Sequence, residues 1–211
     1  MEQPIDEYIL NHLCAESDVL NELYRHTNLK ALYPGMISGH EQGRLLSMLS
    51  GMIRPRQILE IGTYTGYSAI CLAAGLSADG HLHTIEKDDE LTDTALSFFK
   101  KAGISDKITL HVGDALEIIP KLNLIFDLVF IDAAKKRYLD YYHAVFDKVK
   151  QGGYILADNI LWYGKVADTA VHDETTNELR KFNDFVRDDR RVEKAIIRNR
   201  DGLLILRKSG G

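Results

Sequence analysis

The stretch ILEIGTYTGYS at residues 58–68 contains, in order, a strand pattern, a glycine turn and the beginning of a helix. Its apolar residues are typical of a buried strand, and a helical pattern rich in Ala and Leu follows the turn. Glycine at positions 62 and 66 accepts a positive φ and lets a ligand approach the backbone, while the following helix offers free N–H groups. We therefore predict a ligand site at the end of this strand, although an ordinary tight connection would use the same glycines.

The spacing of the turn, E-x-G-x-x-x-G, differs from the G-x-G-x-x-G that holds a dinucleotide pyrophosphate. A carboxylate at Glu60 would repel a pyrophosphate, whereas it would attract an amino group or a sulfonium centre. Glu86 lies 20 positions after Gly66, where nucleotide-binding α/β units place an acidic residue that accepts hydrogen bonds from ribose hydroxyls. Together the two acidic residues predict a cationic ligand that carries a ribose.

Strand and helix patterns alternate along the chain, which predicts an α/β fold with a parallel sheet, right-handed crossovers and helices on both faces. The further strand patterns lie at residues 81–86, 107–112, 126–131 and 153–157, and the helical patterns at 67–76, 89–102, 114–119, 137–150 and 173–188. Two final strand-like runs, 192–198 and 203–207, flank an Asp-Gly pair typical of a hairpin turn. We therefore predict a mostly parallel seven-stranded sheet that ends in an antiparallel C-terminal strand, with ligands at the carboxyl ends of the strands.

The N-terminal quarter of the chain is predicted to be helical. Apolar positions in residues 4–25 recur at helical spacing, and Ser38 with Glu41 matches a capping box that would begin a further helix. At 211 residues the chain is long enough for one α/β domain and too short for two. We predict one domain over residues 1–211, with N-terminal helices (1–54) over the site of a Rossmann-like core (55–211).

The composition is that of an ordinary globular protein, and it excludes several classes of function. No apolar run approaches the roughly 18 to 20 residues that cross a bilayer, and the N-terminal segment MEQPIDEY is acidic where a secretory signal is basic. The net charge of −5 gives no general attraction to nucleic acid or anionic membranes. We expect a cytoplasmic protein without a membrane partner, while a local basic patch remains open.

Oxygen-bearing side chains follow two further strand patterns. FDLVFID ends at Asp132, and GYILADN ends at Asp158 and Asn159. Two carboxylates and an amide suit Mg²⁺ best, with Mn²⁺ or Ca²⁺ as alternatives, and they do not suit zinc. The sequence therefore predicts a divalent cation at this edge of the sheet, unless the aspartates only cap helices or turns.

Lys135 lies in the same loop as Asp132 and is the candidate base. Burial beside a cation and a substrate would disfavour its charged form, which lowers the pKa toward the range where the amine accepts a proton. The alternative is a solvated surface lysine, which is the usual state of residues in a run such as KKR at 135–137.

In combination these motifs resemble the S-adenosylmethionine-dependent, cation-dependent O-methyltransferases, the group of catechol and caffeoyl-CoA O-methyltransferases and their bacterial relatives. The resemblance covers about residues 33–208 and rests on EIGTYTGYS, Glu86, the Gly113-Asp114-Ala115 turn, Asp132 with Lys135, and ADNILW. It implies a Rossmann-like methyltransferase fold, a homodimer, and methyl transfer to a hydroxyl of a catechol-like acceptor whose vicinal oxygens chelate the cation. Ala134 departs from the family, which often has an aspartate there, so a polar contact near the substrate is missing.

The resemblance also implies roles for individual residues. Asp132, Asp158 and Asn159 would ligate the metal, and Lys135 with Asp132 would be catalytic. Glu86 would bind the ribose. Met36 and Ser68 would contact the methionine part, but Met36 could equally be a core residue and Ser68 a helix cap. The full S-adenosylmethionine site would comprise Met36, Ser38, Glu60, Gly62, Thr63, Tyr64, Ser68, Glu86, Asp114, Ala115 and Asp132.

The methyl acceptor is open at this stage. Trp162 and Tyr163 follow the metal ligands and could stack on a small hydroxylated aromatic substrate, or pack under the adjacent loop. A hydroxylated uridine in tRNA is the alternative within the same class, with a phosphate patch formed by Lys135, Lys136, Arg137 and Lys165. From other classes, an NAD-dependent oxidoreductase is disfavoured by the turn spacing, and a non-catalytic binding module by the chemistry at two separate strand ends.

Overall fold

The computed structural model describes residues 3–210 of the chain. Residues 1, 2 and 211 of the predicted domain, and with them the start of the acidic N-terminal segment, lie outside the described residues. The helices are α1 (Gln3–His12), α2 (Asp18–Lys30), α3 (Gly39–Ile53), α4 (Tyr67–Ala73), α5 (Thr92–Lys101), α6 (Ala115–Ile118), α7 (Tyr138–Phe146) and α8 (Glu174–Asp188). The strands are β1 (Gln57–Ile61), β2 (His81–Glu86), β3 (Ile108–Val112), β4 (Phe126–Ile131), β5 (Val149–Ala157), β6 (Val192–Ile197) and β7 (Leu203–Lys208).

The strands form one seven-stranded sheet in the order β3-β2-β1-β4-β5-β7-β6. Strands β1 to β5 pair in parallel, and β7 pairs antiparallel with both β5 and β6. The predicted Rossmann-like sheet with an antiparallel C-terminal strand is confirmed, with β7 one position inside the edge that β6 occupies. The strand order reverses between β1 and β4, which is where open α/β sheets bind their ligands.

Helices cover both faces of the sheet, as predicted, and each face has its own apolar core. Neighbouring residues of β1 point to opposite sides, so Leu59 joins one cluster and Ile58 the other. The first cluster contains buried residues of α7 and α8, and the second contains those of α2 to α5. Within residues 3–210, none of the helices combines the length and the apolar character that crossing a bilayer requires.

Two local predictions differ from the structure. The capping box at Ser38 is wrong, because the backbone of Ser38 is already helical and its side chain makes no cap hydrogen bond; its carbonyl instead accepts one from Arg200. The helix predicted to reach residue 150 ends at Phe146, and β5 begins at Val149. The early part of β5 is irregular, with a register shift against β4 and Gly152 at φ +74°, so its pattern does not look like a strand.

A group of histidines lies on β2 and β3. His83 Nδ1 is 3.0 Å from His111 Nε2, and the ring centroids of His81 and His83 are 4.9 Å apart. Burial, with smaller contributions from the two neighbouring imidazoles, lowers the pKa of His83 to about 4. Between about pH 4 and pH 6.5 the folded protein therefore keeps this imidazole neutral, whereas in the unfolded chain, where the histidine pKa is about 6.5, it would be protonated.

This lowered pKa predicts a loss of stability in mild acid. Because the folded protein binds fewer protons, the contribution of His83 is fully present above pH 6.5 and is lost as the pH falls toward 4. Urea unfolding between pH 7.5 and 4.5 should show a shallower decline for His83→Leu than for wild type. The exposed His172, changed to Gln, should keep the wild-type slope; equal slopes for all three proteins would contradict the prediction.

A second prediction concerns the contact between α3 and α4. A Cβ at Gly43 would lie 2.6 Å from Tyr67 Cε1 and 2.8 Å from Cys71 Sγ, whereas a Cβ at Gly51 of the same helix would meet open space. Gly43→Ala should lower the free energy of unfolding by about 1–3 kcal/mol through overpacking. The matched control Gly51→Ala should raise it by about 0.5–1 kcal/mol. Denaturant unfolding of the two variants would refute this if both changed stability in the same direction.

Candidate active site

One large cavity opens at the carboxyl ends of the parallel strands. Its volume is about 1510 Å³, which exceeds the roughly 300–1000 Å³ typical of a single small-molecule site, so two ligands can fit side by side. The walls come from the segments that follow β1, β2, β4 and β5, and from the connection between α2 and α3. Of the N-terminal helices, α2 therefore borders the cavity, together with its connection to α3.

The glycine turn after β1 owes its composition to close packing with the loop after β4. Gly62 has φ +100°, and a Cβ there would lie 2.0 Å from the carbonyl oxygen of Asp132. Gly66 has φ +95°, and a Cβ would lie 2.6 Å from the ring of Phe99. The sequence analysis explained these glycines by the approach of a ligand. In the structure, the atoms that a side chain at either position would meet belong to the protein itself. This packing joins the predicted cofactor turn to the predicted metal loop.

Glu60 lies behind this turn and does not reach the cavity wall. Its side chain is fully buried, and Oε2 accepts a hydrogen bond from Thr84 Oγ1 at 2.6 Å. Burial raises the pKa of Glu60 to about 8, against the opposing effect of the Ser68 and Thr84 hydroxyls. The carboxyl group is therefore mostly neutral at pH 7, and the predicted attraction between an ionised Glu60 and a cationic ligand is not what this arrangement provides.

Thr63, Tyr64, Ser68 and Glu86 line the cavity next to the turn. Thr63 and Ser68 are buried, and the Thr63 hydroxyl is 2.5 Å from that of Thr84. The Glu86 carboxylate accepts hydrogen bonds from the backbone N–H groups of Tyr64 at 2.6 Å and of the two residues that follow Glu86. Glu86 therefore shapes the turn as well as facing the cavity at the position predicted for a ribose contact.

Asp114 and Ala115 lie on the same side of the cavity, at the start of α6. Asp114 caps the helix through the N–H of Leu116 at 3.0 Å, and its other oxygen accepts from Arg137 Nη1 at 2.6 Å. The hydrogen bond with Arg137 is the main reason that the pKa of Asp114 lies below its usual range. Arg137 belongs to the basic patch predicted as a phosphate contact, and so does Lys136. The ammonium of Lys136 forms an ion pair with Glu174. Two cations of that patch are thus already paired with carboxylates.

Met36 and Ser38, the predicted contacts to the methionine part, line the cavity on the opposite side. Met36 is 58% exposed, so it is a wall residue and not a core residue, and Ser38 is buried. Arg200, from the turn between β6 and β7, donates hydrogen bonds to the carbonyls of Ile37 and Ser38. The segment between α2 and α3 is therefore fixed by a residue more than 160 positions away in the sequence.

The predicted metal ligands come together. Ile131 pairs with Ala157, so Asp132 and Asp158 are the next residues on two adjacent parallel strands, and both line the cavity. Asp158 is 2% exposed and its Oδ1 has no hydrogen-bond partner. Burial, and then the charge of Asp132, raise the pKa of Asp158 to about 6. A desolvated carboxylate oxygen without a partner, next to a second carboxylate, fits a hard cation.

Asn159 completes the predicted donor set. It lines the cavity and has φ +56°, a conformation that asparagine tolerates. Within the part of the chain that the structure describes, no group of three His, Cys, Asp or Glu side chains could hold a metal ion. The predicted donors that line the cavity here, two carboxylates and the Asn159 amide, are oxygen donors, which an oxygen-preferring ion suits better than zinc.

Lys135 does not have the lowered pKa that the sequence predicted. Its Nζ donates to Asp132 Oδ1 at 2.7 Å and to Tyr138 Oη at 2.8 Å. Burial alone would lower the pKa of Lys135, but the charge of Asp132 and the contact with Tyr138 outweigh it and raise the pKa above its usual value. The lowered pKa was predicted for a lysine beside a bound cation and substrate, whereas the nearest charge to the ammonium here is the carboxylate of Asp132, so the role as a base stays a prediction.

Trp162 and Tyr163 line the mouth of the cavity beyond Asn159. Their ring centroids are 5.5 Å apart, and Tyr163 is 80% exposed. Trp162 is partly buried against the apolar core next to α7 and α8, which is the packing that the sequence offered as one alternative, and stacking on a substrate stays a prediction. The backbone N–H of Tyr163 donates to Asp201 Oδ1 at 2.6 Å.

Sequence reasoning missed three residues of this site. Gln42 of α3 donates a hydrogen bond to the Asp158 side chain. The Tyr138 hydroxyl accepts a hydrogen bond from the Lys135 ammonium and donates one to the backbone carbonyl of Asp158 at 2.8 Å. Arg200 fixes the segment beside Ser38. The only signal in the sequence was Gln42 itself, a polar residue one turn into the predicted helix on the face that also carries Leu46.

Comparison with known proteins gives matches over nearly the whole chain. The sequence profile of a family described as O-methyltransferase matches residues 11–209. A caffeoyl-CoA O-methyltransferase of Populus kitakamiensis is 36% identical over 206 residues, covering 92% of this chain and 87% of the relative. A flavonoid 3',5'-methyltransferase of Vitis vinifera is 30% identical over 205 residues, covering 87% of each chain.

Solved structures give the same result. The O-methyltransferase TomG from Streptomyces achromogenes, in complex with SAM, superposes with a TM-score of 0.92 at 30% identity and covers 98% of this chain and 96% of its own. An O-methyltransferase from Bacillus cereus in complex with SAH gives a TM-score of 0.91 at 28% identity, with 98% and 97% covered. Sequence and fold therefore agree on one group of relatives.

Proposed function

The chain belongs to the O-methyltransferase family and is an S-adenosylmethionine-dependent O-methyltransferase of hydroxylated acceptors, and we propose that its acceptor is a small aromatic with two adjacent oxygens held by a divalent cation. The family membership confirms the resemblance and the class of enzyme predicted from the sequence. The proposal of a cation depends on one observation, the buried and unpartnered Oδ1 of Asp158 beside Asp132.

The cation would be held by Asp132, Asp158 and Asn159. Mg²⁺ suits this donor set best, with Mn²⁺ and Ca²⁺ as alternatives, because all three protein donors are oxygens. When bound, such an ion supplies electrostatic stabilisation that lowers the pKa of an acceptor hydroxyl from the phenolic value of about 10. Two vicinal oxygens on the acceptor would match the coordination positions that the protein leaves open.

The proposed cofactor contacts lie on the β1 and β2 side of the same cavity. S-adenosylmethionine, when bound, supplies the methyl group on its positive sulfonium. Several acidic side chains line this side and its border with the metal loop, among them Glu86, Asp114 and Asp132, and they support binding of a cationic nucleoside. We assign the ribose to Glu86, the adenine to Asp114 with Ala115, and the methionine part to Met36, Ser38, Gly62, Thr63, Tyr64, Ser68 and Asp132, with Glu60 supporting the turn from behind.

The main task of the protein in this reaction is positioning. Attack by the acceptor oxygen on the methyl carbon needs alignment of two bound molecules, and fixing both can contribute about 7–11 kcal/mol. Lys135 holds a proton at Nζ between Asp132 and Tyr138. As an ammonium it has no lone pair, so it would accept the proton of the acceptor hydroxyl only after it has released one of its own protons to solvent. Loss of the contact with Asp132 would favour that release, since burial then acts to lower the pKa of Lys135.

The aromatic wall supports a small aromatic acceptor. Trp162 and Tyr163 border the cavity next to the proposed cation ligands, and the two plant relatives are named for caffeoyl-CoA and for flavonoids as their acceptors. The tRNA alternative has less support, because Lys136 and Arg137 are paired with Glu174 and Asp114. The homodimer and the cytoplasmic location stay predictions.

The cation proposal predicts the phenotype of Asp158→Ala. Loss of the unpartnered oxygen should reduce methyl transfer to a catechol in the presence of Mg²⁺ by about 10²–10⁴-fold, the effect of several kcal/mol of lost stabilisation. Calorimetry with S-adenosylhomocysteine should give an affinity near that of wild type. The exposed Asp106, changed to Ala, serves as control. Undiminished transfer by Asp158→Ala in chelator would contradict a role for the cation.

The two neighbouring lysines offer a test of the proposed base. Lys135→Met should lower kcat by about 10²–10⁴-fold, the usual contribution of a positioned proton acceptor. Lys136→Met should leave kcat for a small catechol unchanged, because that ammonium pairs with Glu174 outside the reacting centre. Steady-state kinetics at saturating cofactor would decide. A larger loss in Lys136→Met than in Lys135→Met would favour a nucleic acid acceptor instead.

A further inference from the structure

Gln42 of α3 contacts one of the proposed metal ligands. Its side chain is 1% exposed, and Nε2 donates to Asp158 Oδ2 at 2.5 Å. An ionised carboxylate only accepts hydrogen bonds, so the amide nitrogen of Gln42, and not its oxygen, must face Asp158. The second oxygen of the same carboxylate, Oδ1, is buried and has no partner. One oxygen of Asp158 is therefore held by the protein, and the other is left for a ligand.

We propose that Gln42 is a positioning residue that fixes the carboxylate of Asp158 so that Oδ1 is presented to the cation. This inference rests on the proposed function. The two oxygens of a carboxylate lie in one plane with their carbon, so a hydrogen bond that fixes Oδ2 also fixes the direction of Oδ1. The torsion that turns this plane is broad in aspartate, and without a partner the group would sample several orientations. Hydrogen-bonded partners of metal ligands restrict that freedom and increase metal affinity.

The two proposed carboxylate ligands have partners of different charge. Asp132 is held by the Lys135 ammonium at 2.7 Å, and a cation that binds Asp132 must compete with this positive charge. Gln42 donates to Asp158 through a neutral amide. It therefore orients the Asp158 carboxylate without cancelling its charge, which leaves Asp158 the stronger electrostatic attraction for a divalent ion.

The contact also connects the N-terminal helices to the chemistry. Gln42 and Asp158 are 116 positions apart, and the start of α3 is held beside the cavity as well as being packed against α4. Arg200 holds that start through the carbonyls of Ile37 and Ser38. The placement of α3 thus bears on the orientation of Asp158, the residue that follows β5, and connects this N-terminal helix to the proposed cation site.

The experiment titrates the protein with Mn²⁺ in the absence of a methyl acceptor and measures the affinity by calorimetry, with S-adenosylhomocysteine present at saturation. Gln42→Met keeps the length of the side chain but has no donor, and its Kd for Mn²⁺ should be about 10- to 100-fold higher than that of wild type. The affinity for S-adenosylhomocysteine should not change. The matched control is Ser50→Ala, which removes a buried hydrogen bond of the same helix, from Ser50 Oγ to the carbonyl of Leu72 at 2.6 Å, outside the cavity. Its Kd for Mn²⁺ should equal that of wild type.

The possible results separate this inference from the proposed function. If wild type binds no Mn²⁺, the cation site and the role of Gln42 are both overturned. If wild type binds Mn²⁺ and Gln42→Met binds it equally well, or if Ser50→Ala weakens binding to the same degree, only the positioning role is overturned. Gln42→Asn, whose amide is one methylene too short to reach Asp158, decides by the same titration if Gln42→Met does not fold.

Discussion

The repulsion between the buried carboxylate of Asp158 and the neighbouring carboxylate of Asp132 is the constraint on which this site depends. Parallel pairing of β4 with β5 puts Asp132 and Asp158 next to each other, and burial beside Asp132 raises the pKa of Asp158 to about 6. Like charges in a low-dielectric setting are costly unless an opposite charge is supplied. Lys135 supplies one positive charge at Asp132, and Gln42 supplies a neutral donor at Asp158. A divalent cation at Asp158 Oδ1 would compensate the negative charge that remains on the two carboxylates.

The same loop links the two halves of the site. The carbonyl of Asp132 is so close to Gly62 that no side chain fits at that position, and the N–H of Asp132 donates to Ile61. The turn that follows β1 and the loop that follows β4 are therefore one packed unit. A cofactor bound at the turn and a cation bound at the loop would share Asp132 as a neighbour, which explains how methyl donor and acceptor can be brought into contact without a large movement.

The sequence predicted the sheet well because the relevant information is local. Buried strands, glycine turns and helical periodicity are visible within windows of about ten residues, and parallel topology then brings Asp132, Asp158 and Glu86 to one edge. It failed where the answer depends on which group comes closest in space. The Lys135 ammonium contacts the Asp132 carboxylate, and the buried Glu60 contacts the Thr84 hydroxyl. Gln42 donates to Asp158, which is 116 positions away in the sequence. Spacing along the chain puts Lys135 near Asp132 but does not give the charge that its ammonium meets, and it does not give the other two contacts at all.

Backbone strain in the described residues is concentrated around the cavity. Six residues other than glycine have positive φ, and only Arg54, at the end of α3, lies away from the cavity lining. Such conformations cost energy and persist where surrounding contacts hold them. The N–H of Tyr64 is held by Glu86 and that of Tyr163 by Asp201, so acidic side chains of the cavity stabilise the strained backbone that forms its walls. The cavity can then keep its shape before any ligand binds, which lowers the entropy that ordering the site would otherwise cost. The strained residues of the cavity wall are Tyr64, Asn159, Trp162, Tyr163 and Arg200.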